Sequence, residues 1–124
     1  MKKVIATTAA PAAIGPYSQA IEAGGTLYVS GQLPIDPSTG TMPGTTAAQT
    51  EQALRNIGAI LSAAGYTADD VVKSTVLLAD MNDFAEMNEA YGRFYGKNPP
   101  ARVCYEVSRL PKEARVEIET VAVR

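Results

Sequence analysis

The chain has 124 residues and a formal net charge of −2, from 11 basic and 13 acidic side chains that are mixed along the sequence. We expect one domain over residues 1–124, and the balanced charge argues against nucleic acid or an anionic membrane as a partner, because it provides no basic stripe. The absence of histidine and the single cysteine exclude histidine-based triads, Cys/His metal sites and an intrachain disulfide.

The amino terminus has only a faint likeness to a secretory signal. The apolar run after Lys2-Lys3 is short, lacks leucine and is interrupted by Pro11. No segment approaches the ~20 consecutive apolar residues that a membrane helix needs. We therefore expect a mature, cytoplasmic protein.

The first third of the sequence predicts three strands. Residues 2–7 (KKVIAT) are typical of a short strand, and a second extended segment covers residues 17–22. A turn at Gly24-Gly25 joins this segment to a strand over residues 26–33, which completes a hairpin. In that last strand, alternation places Leu27, Val29 and Gly31 on one face and Tyr28, Ser30 and Gln32 on the other.

A loop over residues 36–44 leads into a long helix. We expect the helix to begin at about Thr46, whose hydroxyl can cap it with Gln49 three residues further on, and to end at Gly65. Its apolar stripe has helical spacing and comprises Ala53, Leu54, Ile57, Ile60, Leu61 and Ala64.

A β-branched strand over residues 71–79 and a second helix follow. The strand has apolar side chains on both faces, with Val72, Val76 and Leu78 opposed to Val71, Leu77 and Ala79. Asn82 or Asp83 is the predicted cap of the helix, and Gly96 and Pro99 end it. The apolar stripe of this helix is Phe84, Met87, Tyr91 and Phe94.

The segment NPPARVCYEVSRLPKEARVEIE, residues 98–119, places an arginine and a carboxylate on two short strands joined by a proline turn. Alternation puts Arg102, Cys104 and Glu106 on one face of the first strand, away from Val103. In the second strand, Glu117 and Glu119 point away from Val116 and Ile118. If these strands pair as an antiparallel hairpin, Arg102 and Glu117 come close to each other, as a carboxylate-binding fork beside a proton-transfer group.

The predicted order is β-β-β-α-β-α-β-β, an α+β fold with one mixed sheet and two helices on one face. The strand over residues 71–79 leaves the other face of the sheet apolar, and no further segment remains to cover it. We therefore expect a homo-oligomer in which sheets pack together, with pockets at the seams.

Three motifs resemble those of the reactive intermediate deaminase (Rid) family, of the RidA-like type. They are the C-terminal segment PARVCYEVSRLPKEARVEIE, together with GPYSQA at residues 15–20 and VSGQ at residues 29–32. The resemblance covers the whole chain and implies a chorismate-mutase-like fold and a homotrimer with ligand sites between subunits. It also implies hydrolysis of 2-imino acids, the tautomers of enamines such as 2-aminoacrylate, to 2-keto acids and ammonia without a cofactor.

The same resemblance implies roles for individual residues. Arg102 matches the arginine that grips the substrate carboxylate, and Glu117 matches the glutamate that places or activates water. Further pocket positions fall on Tyr17, Ser30, Gly31, Asn88 and Cys104. One departure is Val103, where the family usually has a small residue; strand parity turns it away from Arg102.

Plainer interpretations stand beside these. Arg102 and a glutamate can form an ordinary ion pair, Cys104 can be a buried thiol, and Tyr17 can serve packing alone. A backbone partner is a more economical explanation of Asn88 than a ligand, and Glu119 fits the solvated side of an edge strand. At the level of function, the alternatives are a non-catalytic sensor of 2-keto acids or other small carboxylates, and a nuclease or translation inhibitor.

Overall fold

The computed structural model describes all residues from 1 to 124. Its strands and helices follow the predicted order, which confirms the α+β class. The strands are β1 Lys3–Ile5, β2 Ala20–Ala23, β3 Thr26–Gln32, β4 Val71–Leu78, β5 Ala101–Glu106 and β6 Val116–Val123. The helices are α1 Thr46–Ala63 and α2 Phe84–Tyr95, with 3-10 turns at Ala68–Asp70, Met81–Asp83 and Pro111–Glu113.

All six strands form one mixed sheet in the order β1-β2-β3-β6-β4-β5. Every neighbouring pair is antiparallel except β4 and β5, which are parallel and connected through α2. Both helices cover the same face, where Leu54, Ile57 and Ile60 of α1 meet Val76 and Ile118 of the sheet in the core. No helix is long and apolar enough to cross a membrane.

The predicted hairpin between the last two strands is wrong. β6 lies in the middle of the sheet between β3 and β4, and β5 pairs only with β4. The core explains the central place of β6, because Val116, Ile118 and Ala122 are each fully buried beneath the helices. β5 is left as an edge strand, separated from β6 by the width of β4.

Two β-bulges change which side chains face the core. One extra residue between Val29 and Gln32 brings Gln32 opposite Ile118 on the core side. The predicted grouping of Gln32 with Tyr28 and Ser30, on the face opposite Leu27 and Val29, is therefore wrong. A second bulge in β4 leaves Val71 buried and Val72 exposed, the reverse of the predicted grouping of Val72 with Val76.

Side-chain contacts at the helix starts differ from the predicted caps. Thr45, not Thr46, caps α1 by accepting a hydrogen bond from the Ala48 N–H. Thr46 instead donates to the Asp83 carboxylate at 2.9 Å, and this contact ties the two helix starts together. Asp83 is the N-cap residue of α2, one of the two predicted, but its side chain makes no capping hydrogen bond because it accepts from Thr46 instead.

The sheet face opposite the helices carries large exposed apolar side chains. They are Val4, Tyr28, Val103, Tyr105 and Val123. Strand register places all of them on the uncovered side, because each alternates with a core-facing residue or pairs with an uncovered one. This is the apolar second face that strand composition predicts.

Candidate functional site

Four of the predicted site residues share one open cavity of about 720 Å³. Tyr17 comes from the loop before β2, Ser30 and Gly31 from the bulge of β3, and Glu117 from β6. Apolar side chains from three loops complete the wall; they are Pro11, Ala12, Ile14, Leu33, Ile35 and Pro111. The cavity therefore has the usual make-up of a small-molecule site, an apolar wall with a few polar groups.

The β3 bulge gives Glu117 its place. A Cβ atom on Gly31 would lie 2.5 Å from Glu117 Oε2 and 3.1 Å from its Cδ, so only glycine leaves room for this carboxylate. The backbone φ of Gly31 is not in the left-handed region. Glycine is therefore required at this position for space and not for its backbone conformation. Bulges of this kind commonly re-aim a side chain next to a functional site.

The chemistry of Glu117 is set by its surroundings. The carboxyl is half-buried, and burial raises its pKa above the ordinary 4.5. The negative charge of Glu119, two residues further along the same face, raises the pKa of Glu117 further. A carboxylate tuned in this way is better able to accept and return a proton near neutral pH.

Glu119 is not on the edge of the sheet as the plain interpretation held. It lies on the central strand β6, opposite Thr75 of β4, and lines the same cavity as Glu117. Its side chain remains exposed. The pattern of β6 shows that Glu117 and Glu119 share a face, but only the strand order shows that this face bounds a cavity.

Ser30 and Tyr17 are held by backbone contacts. The Ser30 hydroxyl donates to the Ser18 carbonyl at 2.6 Å, which leaves its oxygen able to accept a further hydrogen bond. The Tyr17 hydroxyl accepts from the Ile14 N–H at 3.3 Å, and about half of Tyr17 is exposed. Both side chains are thus ordered before any ligand arrives.

Gln19 is a site-building residue that sequence analysis missed. Its buried amide donates to the carbonyls of Pro11 and Thr7 and accepts from the Thr7 N–H, and thereby fixes the loop that forms one wall of the cavity. Gln19 lies inside the extended segment predicted over residues 17–22 and directly before the observed β2. Its burial, which requires hydrogen-bond partners for the amide, is visible only in the structure.

Lys112 is the second residue that was missed. It lines the cavity from the turn after β5, and its backbone has φ 58° and ψ 25°, in the left-handed region. The next residue, Glu113, also has φ 58°. Non-glycine residues rarely adopt this conformation, and such positions are concentrated at functional sites.

The remaining predicted residues form a second cluster at β5. Arg102 donates from Nη1 to the Asn88 Oδ1 at 2.8 Å. The interpretation of Asn88 as a residue with a backbone partner is therefore wrong, because its partner is a charged side chain on a neighbouring element. The guanidinium also lies over two rings of α2, with Cζ 4.8 Å from the centroid of Tyr91 and 5.6 Å from that of Phe84.

Cys104 lies two residues from Arg102 on the same face of β5, opposite Val76. Burial raises the pKa of the thiol, and the positive charge of Arg102 only partly opposes this. The thiol is therefore neutral at pH 7 and suits a pocket wall better than a nucleophile.

Arg102 and Glu117 do not meet within one chain. Arg102 is opposite the buried Ser74 and faces the helices, whereas Glu117 is opposite Leu77 on the uncovered side. The two side chains thus project to opposite faces of the sheet, with β4 between their strands. The prediction that Arg102 and Glu117 lie close together is wrong, because it depended on the hairpin.

No group of three His, Cys, Asp or Glu side chains is placed to hold a metal ion.

Comparisons with known proteins point the same way along the whole chain. The model of a family described as endoribonuclease L-PSP matches residues 7–124. A mouse protein named 2-iminobutanoate/2-iminopropanoate deaminase is 54% identical over 125 residues, which cover 100% of this chain and 93% of the mouse protein.

Two solved structures from Escherichia coli have the same fold. The yjgF gene product superposes with a TM-score of 0.95 at 49% identity, over 98% of both chains. TdcF with bound serine gives a TM-score of 0.95 at 44% identity, again over 98% of both chains. The chain therefore belongs to the Rid (YjgF) family, whose members include the mouse deaminase and which the endoribonuclease L-PSP model describes.

Proposed function

We propose that this protein is a 2-iminobutanoate/2-iminopropanoate deaminase, which hydrolyses reactive 2-imino acids to 2-keto acids and ammonia. The observation that carries the proposal is Glu117, a half-buried carboxyl with a raised pKa in a cavity that opens to solvent. Proteins of the same name from mouse and Escherichia coli are 54% and 50% identical over the whole chain, which supports this assignment.

In the proposed reaction, Arg102 binds the substrate carboxylate through two parallel N–H donors of its guanidinium. Glu117 accepts a proton from water as the water oxygen bonds to C2 of the protonated imine, giving a tetrahedral carbinolamine. Glu117 then gives this proton to the nitrogen, the C–N bond breaks as ammonia leaves, and the Glu117 carboxylate accepts the hydroxyl proton as the C=O bond forms. A protonated imine is already electrophilic, so orientation and one proton carrier suffice without a cofactor.

The reaction requires Arg102 and Glu117 in one site, and we propose a homotrimer that supplies them from different subunits. One subunit would contribute Arg102 and Cys104 from its edge strand β5 and Asn88 from α2. These residues would lie against the neighbour's cavity, which contains Tyr17, Ser30, Gly31 and Glu117. The position of the two clusters on opposite faces supports this arrangement, as does the exposed apolar sheet face. We propose the cytoplasm as its location, where pyridoxal-phosphate enzymes release such enamines.

The test is hydrolysis of 2-iminopropanoate, generated in situ from alanine by an oxidase and followed as loss of imine. Wild type should accelerate the loss, and Arg102→Ala and Glu117→Gln should each lower kcat/KM by at least ~100-fold. Glu117→Gln should still bind a 2-keto acid, whereas Arg102→Ala should not. Equal decay with and without a folded, oligomeric wild type would refute the proposed activity.

A carboxylate sensor without turnover is the alternative that shares Arg102. The bound serine in TdcF, a small molecule with a carboxylate, favours binding of this ligand class. A sensor predicts tight 2-keto acid binding by the wild type with no imine hydrolysis, and the same assay therefore separates the two.

A nuclease is the second alternative, and the description of the family model is what favours it. The net charge of −2 and the absence of histidine oppose it, because RNA binding draws on a basic surface. Incubation with single-stranded RNA at low salt should leave the RNA intact; cleavage that Glu117→Gln abolishes would support the nuclease instead.

A further inference from the structure

One face of α2 surrounds the guanidinium of Arg102. Phe84, Asn88 and Tyr91 are four and three residues apart, a spacing that brings side chains onto one helix face. Tyr91 and Phe84 lie against the guanidinium, with centroids 4.8 and 5.6 Å from Cζ, and the Asn88 Oδ1 accepts from Nη1 at 2.8 Å. The same Nη1 also lies 4.0 Å from the Met87 Sδ, and four residues of α2 therefore contact a side chain that comes from another element.

These contacts place two aromatic rings against the guanidinium and engage one of its terminal nitrogens, Nη1. A free arginine side chain samples many rotamers, and its planar fork binds a carboxylate best when its direction is already fixed. Nη1 is engaged by Asn88, while Arg102 has no salt bridge within the chain. The remaining donors are thus available for an external anion.

We propose that Phe84, Asn88 and Tyr91 are positioning residues that hold Arg102 ready for a carboxylate before the ligand binds. This inference rests on the proposed role of Arg102 as the carboxylate clamp. It assigns to Asn88 a contact with arginine, in place of direct contact with substrate. The aromatic rings supply most of the effect, because they fix the plane of the fork.

The ring and the hydroxyl of Tyr91 have different surroundings, and a substitution can therefore test the ring alone. In the sheet, Arg102 is followed by Ser74 and then Thr120 along one row that faces the helices. The Tyr91 hydroxyl is buried near Ser74 but has no hydrogen-bond partner. The hydroxyl therefore contributes little to the fold, and Tyr91→Phe keeps the ring while it removes an unpaired polar group.

Tyr95 is a matched control on the same helix. It is buried like Tyr91, its hydroxyl is also unpaired, and the two ring centroids are 4.8 Å apart. Burial raises the pKa of Tyr95 to about 12. It stacks on Phe94 and Tyr91 and has no contact with the guanidinium, so that Tyr95→Leu reproduces the core damage of Tyr91→Leu without its effect on Arg102.

The experiment measures calorimetric binding of 2-oxobutanoate together with kcat and KM for the corresponding imine. We expect Tyr91→Leu to raise both Kd and KM about tenfold, a loss in the range of a desolvated cation–π contact, and to change kcat less than about threefold. Tyr91→Phe should restore both constants to within about twofold of wild type. Tyr95→Leu should lower stability as much as Tyr91→Leu and leave Kd unchanged.

Equal Kd values for the two leucine variants, or a Tyr91→Phe variant as weak as Tyr91→Leu, would overturn the proposal. If Tyr91→Leu does not fold, Phe84→Leu takes its place, since Phe84 is only half-buried, and an unchanged Kd in that variant is equally decisive. Binding can be measured without turnover, so a wild type that binds 2-oxobutanoate but hydrolyses no imine refutes the proposed function alone. A wild type that binds no 2-oxobutanoate refutes the clamp and its positioning together.

Discussion

The close approach of Gly31 and Glu117 predicts the effect of adding one methyl group at residue 31. A Cβ at Gly31 would lie 2.5 Å from the Glu117 Oε2, and so the carboxylate must turn away in Gly31→Ala. A misplacement of about 1 Å in a catalytic group can lower the rate ~100-fold, and we expect kcat to fall by that order. Binding of 2-keto acid, which depends on Arg102, should change little.

A second glycine provides the control for this substitution. Gly44 has no atom within 4 Å of an added Cβ and no positive φ, and Gly44→Ala should therefore be as active as wild type. Steady-state kinetics of imine hydrolysis on both variants checks the prediction. Normal kcat in Gly31→Ala would mean that the carboxylate position seen here is not the one that reacts.

The charge of Glu119 predicts a change in pH dependence. Burial is the main cause of the raised pKa of Glu117, and Glu119 adds to it. If the ionised form of Glu117 activates water, kcat/KM falls as the pH drops through this raised pKa. Glu119→Gln removes one of the two causes, so the acid limb of the profile should move to lower pH without disappearing.

Other charged and titratable groups lie near Glu117, and the two pH profiles can be compared only if these groups are the same in both proteins. Lys112 from the turn after β5 and Tyr17 from the loop before β2 line the same cavity. Neither changes in Glu119→Gln, and Glu89→Gln on the outer side of α2 controls for loss of one acidic charge elsewhere. Rates are compared after subtraction of uncatalysed hydrolysis; an acid limb that stays in place would contradict the assigned role of Glu119.

At the scale of elements, the start of α1 tests which threonine is the cap. The Thr45 Oγ1 accepts from the Ala48 N–H at 3.1 Å, and the loss of such a cap costs about 1 kcal/mol. Thr45→Ala should therefore lower the free energy of unfolding in urea by that amount. Thr8→Ala, at an exposed threonine, is the control and should be neutral within ~0.5 kcal/mol. Equal stability of Thr45→Ala and wild type would show that the hydroxyl does not cap the helix.

Local patterns predicted the elements well because they depend on neighbours in the sequence. The helix stripes, the Gly24-Gly25 turn and the alternation of β6 all depend on residues a few positions apart. The side chains of Thr46 and Asp83 make no capping hydrogen bonds in their own helices because these residues, 37 positions apart, bond to each other. A contact of that separation leaves no local signal.

Strand order and bulges escaped prediction for the same physical reason. Strict alternation predicts which face of the sheet a side chain is on only while the strand has no bulge. One extra residue near Gly31 in β3, and another near Val72 in β4, reverses the predicted faces of the residues beyond it. The hairpin of β5 and β6 was the shortest connection, but the fully buried Val116 and Ile118 require the centre of the sheet. Long-range burial, which no window of sequence contains, decided the order.

At the scale of the whole molecule, the separation of the candidate site into two clusters follows from that strand order. The sequence predicted the apolar second face that the structure shows, but it placed Arg102 and Glu117 in one hairpin. In the structure they lie on opposite faces. The mechanism proposed here thus makes the oligomer a chemical requirement, beyond the need to cover Tyr28, Val103 and Tyr105.

Subunit mixing tests this requirement directly. Arg102→Ala and Glu117→Gln are each expected to be inactive alone, but in a mixed trimer an Arg102 from one variant can face a Glu117 from the other. With equal amounts and random exchange, about a quarter of the inter-subunit sites contain both native residues, and activity should return to about a quarter of the wild-type value. The double variant, mixed with wild type in the same way, supplies the matched reference. If both residues act within one subunit, every site in the mixture of single variants lacks one of them, and no activity returns however completely the subunits exchange.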